Sequence, residues 1–321
     1  MRRAQLFAGL ACAVIASAAA AQGYPNKPIR LIVGFAPGGA ADYVARTVSE
    51  PLARALGQAM VVENRAGAGS SIAADFVSKA APDGYTVLIA SPSSISVNPA
   101  LNPKLGYSAK DLAAVSRITA SPLVVAVNPK SGIGSIAELV ALAKKQPGAL
   151  NYTSSGNGSA PHLGAVHFSR VAGIEMTHIP YKGGAPAIQS VVAGETQLTF
   201  GTPPSVLPMV QAGRLKALAV TSPNRSPLVP DVPGMIEAGV PNYSMAFWYG
   251  LFVPAGTPPE VIKRLFDAAQ KVMAEPEVKA ALAREGTEVA MSGSVDEFNA
   301  FLVEDNKFWA RLAKDAGVKL E

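Results

Sequence analysis

The chain has 321 residues, of which 49% are hydrophobic and 16% charged, and its formal net charge is +5 at pH 7. No run of like charge is longer than Lys144-Lys145, which excludes a basic surface for nucleic acid and a polybasic membrane patch. A low charged fraction with abundant Ala, Gly and Val is typical of helices packed on both faces of a mostly parallel sheet.

The first 21 residues predict a signal peptide. Arg2 and Arg3 precede an apolar core, and a run of small residues leads to an expected cleavage site after Ala21. This core is shorter than the roughly 18 residues that a membrane span needs, so we expect an exported protein of a bacterial periplasm. The only cysteine, Cys12, lies in this segment, which leaves the mature chain without a disulfide or thiol. A lipoprotein acylated at Cys12 is the alternative.

The next segment predicts a strand that leads directly into a helix. Residues 29–33 form an apolar run, Pro37-Gly38-Gly39 form a turn, and helical spacing continues to Leu56. Such a turn leaves backbone N–H groups free, and with the positive end of the helix dipole they favour a carboxylate or phosphate. Ligands of open α/β sheets bind at this end of the strands. The alternative is a tight connection with no ligand.

Strands and helices then alternate, which predicts parallel sheets. In the first half we expect a strand at 60–62, a helix at 72–81, a strand at 86–90, a polar loop at 91–103, an apolar run at 122–127 and a helix opened by a capping box at 135–138. In the second half we expect a strand at 151–153, the loop Ser154–Ser159, a helix, strands at 176–179, 197–200 and 216–220, and helix-opening turns at 181–184 and 202–204. Residues 249–253 indicate a return strand before an almost wholly helical end.

Two crossings, near residues 122 and 247, predict two lobes with a cleft between them. The first lobe would contain residues 22–122 and 247–321, and the second residues 123–246. The turns Phe35–Asp42 and Ser154–Ser159 would face each other across the cleft. The predicted fold class is therefore α/β with two lobes.

Five motifs support a family resemblance. They are Phe35–Asp42, Val62–Arg65 with Gly67 and Gly69, Pro82–Tyr85, Ser155–Ser159 with His162, and Tyr181–Gly184. In this order and spacing they resemble the Bug family of periplasmic receptors of tripartite tricarboxylate transporters, which includes the tricarboxylate receptor TctC. The resemblance covers the whole mature chain and implies a type II periplasmic binding protein fold that closes on a small ligand, usually a carboxylate.

The resemblance also implies which residues bind. In the family, the loop matching Phe35–Asp42 contributes backbone groups and ordered water, and the loop matching Ser154–Ser159 holds the carboxylate directly. The predicted ligand-binding residues are Phe35, Ala36, Pro37, Gly38, Gly39, Asp42, Ser93, Ser154, Ser155, Gly156, Asn157, Gly158, Ser159, His162, Lys182, Gly183 and Thr202. Many relatives place Asp or Asn after the strand that ends at Phe200, whereas this chain has Gly201-Thr202, which argues against a ligand whose ammonium group would pair there.

Several of these residues also have a structural interpretation. His162 can orient its loop near a helix start, and Asp42 can brace the first turn by complementing the helix dipole. The aromatic residues of the expected cleft suit either a planar ligand or ordinary core packing. They are Phe35, Tyr181, Phe247, Trp248 and Tyr249; we favour core packing for Tyr249 and leave Phe35 and Trp248 open.

Signatures of common enzymes are weak or missing. Residues 132–137 fit a loose dinucleotide fingerprint, but four residues separate them from their strand and the capping box explains them without a ligand. Neither a Gly-x-Ser-x-Gly elbow nor a Walker A motif occurs. His162 and His167 lie five apart, off one helical face. We therefore expect no catalytic residue, no metal and no cofactor.

The sequence thus predicts a receptor, not an enzyme. We expect it to capture a small mono- or dicarboxylate, aliphatic or aromatic, for the membrane permease subunits of a tripartite tricarboxylate transporter, and to act as a monomer without nucleic acid. The alternative is an exported enzyme that acts on a small carboxylic acid. A receptor needs only donors and closure, whereas an enzyme needs a positioned base or nucleophile.

Overall fold

The computed structural model describes residues 23–102 and 104–315. The predicted signal peptide and Cys12 lie outside these residues. The chain forms a six-stranded sheet of order β11-β4-β10-β3-β1-β2 and a five-stranded sheet of order β7-β6-β8-β5-β9. Across the described ranges, no helix has the length and apolar character needed to cross a bilayer.

The helices and strands have these bounds. The strands are β1 Ile29–Val33, β2 Met60–Asn64, β3 Thr86–Ala90, β4 Leu112–Pro122, β5 Val124–Val127, β6 Asn151–Ser154, β7 Thr177–Pro180, β8 Leu198–Gly201, β9 Lys216–Val220, β10 Ala246–Pro254 and β11 Glu288–Val289. The α-helices are α1 Ala40–Leu56, α2 Ser71–Ser78, α3 Asn98–Leu101, α4 Ile136–Lys145, α5 Ala160–Ala172, α6 Gly184–Ala193, α7 Pro203–Gln211, α8 Pro259–Ala274, α9 Pro276–Arg284 and α10 Val295–Asp315.

Parallel strands form one part of each sheet, as the alternation predicts. Strand β1 pairs in parallel with β2 and β3, and β6 pairs in parallel with β7 and β8. The predicted return strand is confirmed, since β10 runs antiparallel to β3 and β4. Strand β5 is antiparallel to both of its neighbours. Among the described strands four pairs are parallel and five antiparallel, so both sheets are mixed and the expectation of mostly parallel sheets is wrong.

Both faces of the central strands are buried, which explains their continuous apolar runs. Leu31 packs in a cluster with helices α1 and α8, whereas its neighbour Ile32 packs on the opposite face with Trp248 and Phe298. Successive side chains of a strand point to opposite faces, so an apolar residue at every position implies helices on both sides. We call the six-stranded sheet with its helices the first lobe and the five-stranded sheet with its helices the second lobe.

One threonine joins the two places where the chain passes between the sheets. The Thr221 hydroxyl accepts a hydrogen bond from Leu123 N–H at 2.7 Å and donates one to Met245 O at 2.6 Å. Thr221 is completely buried. The two crossings are thereby held side by side and form a two-strand hinge. The lobe limits at residues 122 and 247 remain a prediction. They are compatible with the division of the strands between the two sheets.

The predicted polar loop, residues 91–103, is described over residues 91–102, which are partly helical and mostly buried. A π-helix spans Ser93–Val97 and continues into α3. Several of its polar groups are bonded within the protein: Tyr107 donates to Ser94 O at 2.7 Å, and Asn98 donates to Ser71 Oγ at 2.6 Å. Ser91 Oγ and Asn98 Oδ1 are buried without a hydrogen-bond partner among the described residues. The loop prediction was wrong because serine favours turns only where its hydroxyl has no better partner. Strand β4 was also missed over most of its length.

A half-buried carboxylate ties the hinge strand β10 to the last helix. Asp305 on α10 accepts hydrogen bonds from Trp248 Nε1 at 2.8 Å and from Trp309 Nε1 at 3.1 Å. Burial raises the pKa of the Asp305 carboxyl to about 6, although both indole groups and the Arg117 guanidinium lower it. The protonated form is therefore favoured in the folded state more than in the unfolded chain.

We expect Asp305→Asn to remove a pH dependence of stability. A raised pKa in the folded state adds stability that is present at low pH and lost as pH rises through about 6. Between pH 5 and 7 the free energy of unfolding of the parent should therefore fall by about 1 kcal/mol relative to that of the variant. Urea titrations at several pH values measure this. Glu304→Gln, at an exposed neighbouring carboxylate, is the control, and parallel curves for parent and Asp305→Asn would contradict the assignment.

Candidate functional site

The two lobes touch along a cleft at the carboxyl ends of β1 and β6. Ala36 N–H, from the first lobe, donates to Lys182 O of the second at 3.2 Å. A Cβ atom on Gly183 would lie 2.9 Å from Ala36 N, and one on Gly39 would lie 3.4 Å from Gly184 N. These glycines allow backbone to approach backbone, so the structure shows the lobes in a closed arrangement.

A narrow cavity of about 20 Å³ lies at this contact. It is lined by Phe35, Gly39, Ala40, Ala41, Ser154, Ser155, Pro161, Gly184, Ala187, Ile188, Thr199, Gly201, Thr202, Ser205 and Tyr249. We call it the first cavity. No residue with a charged side chain lines it among those that the structure describes, and its polar groups are hydroxyls and backbone amides.

Four helices begin at the first cavity. Gly39 precedes α1, Pro161 is in the first turn of α5, Gly184 begins α6 and Thr202 precedes α7. The first N–H groups of a helix have no partner within the helix, and each helix N-terminus carries a partial positive charge. A small anion is the group that such a cavity suits. Helices α5, α6 and α7 contribute fewer N–H donors than α1, because prolines occupy their first turns.

A second cavity of about 330 Å³ continues from the first. It is lined by Phe35, Gly67, Ala68, Gly69, Ser70, Ser71, Asn102, Leu105, Ser155, Gly156, Asn157, Pro180, Tyr181 and Lys182. Phe35 and Ser155 line both cavities. Lys182 is exposed and is the one charged side chain in the lining, within the part of the chain that the structure describes. This second cavity is large enough for the body of a small organic acid.

Asp42 braces the first loop. It is 4% exposed and accepts hydrogen bonds from Gly38 N at 3.0 Å, Arg46 Nε at 2.9 Å and Asn64 Nδ2 at 3.0 Å. Burial alone would raise the pKa of the Asp42 carboxyl, but these hydrogen bonds with Arg46, Gly38 and Asn64 hold the pKa below its ordinary value. Its lone pairs are thus occupied by the protein, as the structural interpretation of this residue expects.

The second loop, Ser154–Ser159, is closed by hydrogen bonds at both ends. Ser154 Oγ accepts from Gly156 N–H at 3.1 Å and lies 2.6 Å from His178 Nε2. Gly158 N–H donates to His162 Nδ1 at 3.1 Å. Ser159 caps α5, its hydroxyl accepting from the N–H of residue 162 at 3.4 Å. The sequence analysis assigned no role to His178.

His162 and His178, whose rings contact the second loop, are neutral. Burial lowers the pKa of His162 to about 3, with a further contribution from His178, and burial lowers the pKa of His178 to about 4. Across the described residues, no three His, Cys, Asp or Glu side chains are grouped to hold a metal. The histidines therefore act as hydrogen-bonding and packing groups at neutral pH.

The structure distributes the predicted binding residues over three kinds of position. The first group lines a cavity and contains Phe35, Gly39, Ser154, Ser155, Gly156, Asn157, Lys182 and Thr202. The second group forms the contact between the lobes and contains Ala36 and Gly183. The third group lies outside both linings, in or beside the two loops, and contains Pro37, Gly38, Asp42, Gly158, Ser159 and His162. Ser93 is buried in the π-helix and lines neither cavity. Whether each residue contacts a ligand remains a proposal.

Several lining residues were missed by the sequence analysis. Gly184 is the last residue of one predicted helix-opening turn and Ser205 follows another, so the convergence of those turns was the available signal. The loop Gly67–Ser71 was recognised only as part of a motif, and its place in the second cavity depends on long-range packing. Of the aromatic candidates, Tyr249 lines the first cavity, whereas Trp248 is bound to Asp305.

Comparisons with known proteins agree on one family. Residues 44–318 match the model of the tripartite tricarboxylate transporter family receptor, TctC. BugT of Bordetella pertussis is 35% identical over 314 residues, covering 97% of this chain and 96% of that protein. The structure of R. palustris Rpa4515 with adipate is 32% identical with a TM-score of 0.89, covering 92% of this chain and 99% of that one.

Another solved structure has the same fold. MatC of Rhodopseudomonas palustris with bound malate is 28% identical, with a TM-score of 0.85 and coverage of 90% of this chain and 100% of that one. The predicted two-lobed α/β fold and the predicted resemblance are both confirmed. The chain belongs to the TctC family of tripartite tricarboxylate transporter receptors, which includes the Bug proteins.

Proposed function

We propose that the protein is a periplasmic solute-binding receptor that captures a small mono- or dicarboxylate and delivers it to the permease of a tripartite tricarboxylate transporter. The observation that carries this proposal is the convergence of four helix N-termini on a cavity lined by hydroxyls and amides. Export through the predicted signal peptide and action as a monomer belong to the same proposal.

The first cavity is the proposed place of one carboxyl group. Its volume of about 20 Å³ holds roughly one water molecule, so a carboxylate enters only when the lobes separate and then close on it. Closure brings N–H groups from both lobes to the anion, which gives the closed form more contacts with the ligand than the open form has. The Thr221 hinge allows this motion without breaking either sheet.

The second cavity is the proposed place of the rest of the ligand. It continues past Phe35 and Ser155, and Lys182 provides a cation on its lining. A dicarboxylate would place one carboxylate in the first cavity and direct the other toward Lys182. Adipate is bound in the Rpa4515 structure and malate in the MatC structure, which supports an acid with two carboxyl groups here.

One contact favours the alternative of an enzyme. Ser154 Oγ and His178 Nε2 lie 2.6 Å apart, the arrangement expected of a nucleophile and its base. Three features oppose catalysis. Ser154 is 1% exposed, its hydroxyl also bonds Gly156, and burial lowers the pKa of His178 to about 4, which makes its imidazole a weak base. The receptor is therefore the better supported function.

A thermal-shift screen of the mature protein against mono- and dicarboxylic acids tests the proposal. We expect stabilisation by at least one small acid, because a ligand that binds only the folded state raises the unfolding temperature. NMR of each hit after incubation should show the acid unchanged. Chemical conversion of the acid would support the alternative of an enzyme, and a library without hits would contradict the receptor proposal.

Gly39→Val should block closure while leaving the lobes folded. The backbone of Gly39 is extended, with φ −91° and ψ 175°, so valine fits its conformation. Its methyl groups would, however, enter the space in front of Gly184 N. We expect affinity for the best acid of the screen to fall about ten-fold and the decrease in radius of gyration on binding to disappear, as measured by calorimetry and X-ray scattering.

Gly39→Ala is the matched control for closure, because its single methyl group would lie 3.4 Å from Gly184 N, a tight but tolerable contact. This variant should close and bind nearly as the parent does. Tight binding and full compaction by Gly39→Val would show that the contact between Gly39 and Gly184 is not formed in the ligand-bound state.

Lys182→Met should distinguish the two ends of the ligand. The first cavity holds its anion with amides and hydroxyls, so hexanoate should bind the variant as it binds the parent, with weak salt dependence. Adipate should lose about three-fold in affinity at low salt, the size expected of an exposed ion pair, and less at high salt. Calorimetry at two ionic strengths measures both acids. Lys130→Met, at another exposed lysine of the second lobe, is the control. Equal losses of affinity for hexanoate and adipate would show that Lys182 does not pair with the second carboxylate of adipate.

A further inference from the structure

Three aromatic rings lie together beneath the second loop. The imidazoles of His162 and His178 are stacked, with centroids 3.8 Å apart and planes inclined by 6°, and the Tyr152 ring lies 5.0 Å from His178. The parallel pairing of β6 and β7 aligns Tyr152 with His178. Residues two apart on a strand share a face, so Ser154 lies on the same side of the sheet as the rings of Tyr152 and His178.

The stacked imidazoles connect the two ends of the loop. His178 meets Ser154 at the start of the loop, and His162 accepts from Gly158 near its end. The segment between these two points lines both cavities through Ser155, Gly156 and Asn157. Two hydrogen bonds, joined through one ring stack, thus fix the part of the loop that faces the cleft.

The tautomer of each ring sets the direction of these hydrogen bonds. His178 Nε2 donates to Ser154 Oγ when the hydroxyl hydrogen is directed to Gly156 O at 3.1 Å, and accepts from it in the other tautomer; either way one hydrogen bond joins them. His162 accepts at Nδ1 and therefore carries its proton on Nε2. Both rings are neutral, in accordance with the lowered pKa values of the two histidines, and neutral rings stack without charge repulsion.

We propose that His178 is a positioning residue for ligand binding: through its hydrogen bond to Ser154 and its stack on His162, it holds the loop Ser154–Ser159 in the conformation that receives the carboxylate. This inference rests on the proposed function. It adds a residue that does not line either cavity and that no motif of the sequence indicated.

Two substitutions separate the hydrogen bond from the stack. His178→Phe keeps a stacked ring and removes the hydrogen bond to Ser154, whereas His178→Gln keeps a polar amide group near the position of Nε2 and removes the ring. With adipate as the probe, calorimetry should show a loss of about ten-fold for His178→Phe and rescue to within about three-fold of the parent by His178→Gln. His167→Phe is the matched control, since His167 packs on Tyr243 away from the loop.

A purely structural role predicts the opposite pattern. In that case loss of the aromatic ring would lower the unfolding temperature without lowering the affinity for adipate, and His178→Gln would be the less stable of the two variants. Equal adipate affinity for parent and His178→Phe would overturn the inference. In a double-mutant cycle, Ser154→Ala and His178→Phe together should cost less affinity than the sum of the two single losses, because both changes remove the same hydrogen bond. Ser154→Ala keeps a cost of its own, since the hydroxyl also bonds Gly156 and lines the first cavity. Full additivity would also contradict the inference.

Amide hydrogen exchange of the ligand-free protein keeps the two proposals separate. We expect the amides of residues 155–158 to exchange faster in His178→Phe than in the parent, and at the parent rate in His167→Phe. If the parent binds neither adipate nor another acid, the proposed receptor function fails, and exchange still decides whether His178 holds the loop. Unchanged exchange in His178→Phe overturns the inference whatever the parent binds.

Discussion

The convergence of four helix N-termini on one small cavity is the constraint on which the rest of the structure depends. Positive dipole ends repel one another, and their first N–H groups need acceptors. An anion satisfies both needs at once. Because α1 belongs to one lobe and α5, α6 and α7 to the other, the anion of the proposed ligand would also make closure favourable. In the proposed function, recognition of charge and motion of the lobes are therefore two results of the same arrangement.

The surroundings of the first cavity explain how, in the proposed function, it holds an anion without a lining cation. Each loop is fixed from behind by side chains that do not need to contact the ligand: Asp42 accepts three hydrogen bonds under the first loop, and His162 with His178 supports the second. A loop that is already ordered loses little conformational entropy on binding. Weak individual donors can then give useful affinity together.

The sequence predicted the secondary-structure elements of the molecule better than its tertiary contacts. Apolar runs and glycine turns located β1, β3, β6 and the helices that follow β1 and β6, because these signals are local. The buried segment around Ser93 was mistaken for a loop, since polar groups such as the Ser94 carbonyl and the Ser96 hydroxyl meet their partners Tyr107 and Asn306 only in the folded chain. His178 was missed for a similar reason: it reaches Ser154 by pairing of strands 24 residues apart, which no spacing rule reveals. Lys182 was found because glycines beside it marked a turn.

The bond between Asp305 and both indoles has an optical consequence. Trp248 and Trp309 are the two tryptophans of the sequence, and both donate to the same carboxylate. Trp248 lies on the strand that enters the first lobe from the hinge, and Trp309 lies on the last helix. All indole emission of the protein therefore originates on the two sides of one carboxyl group. Intrinsic fluorescence reports on the field and packing next to the hinge, so ligand binding can be followed without any attached label.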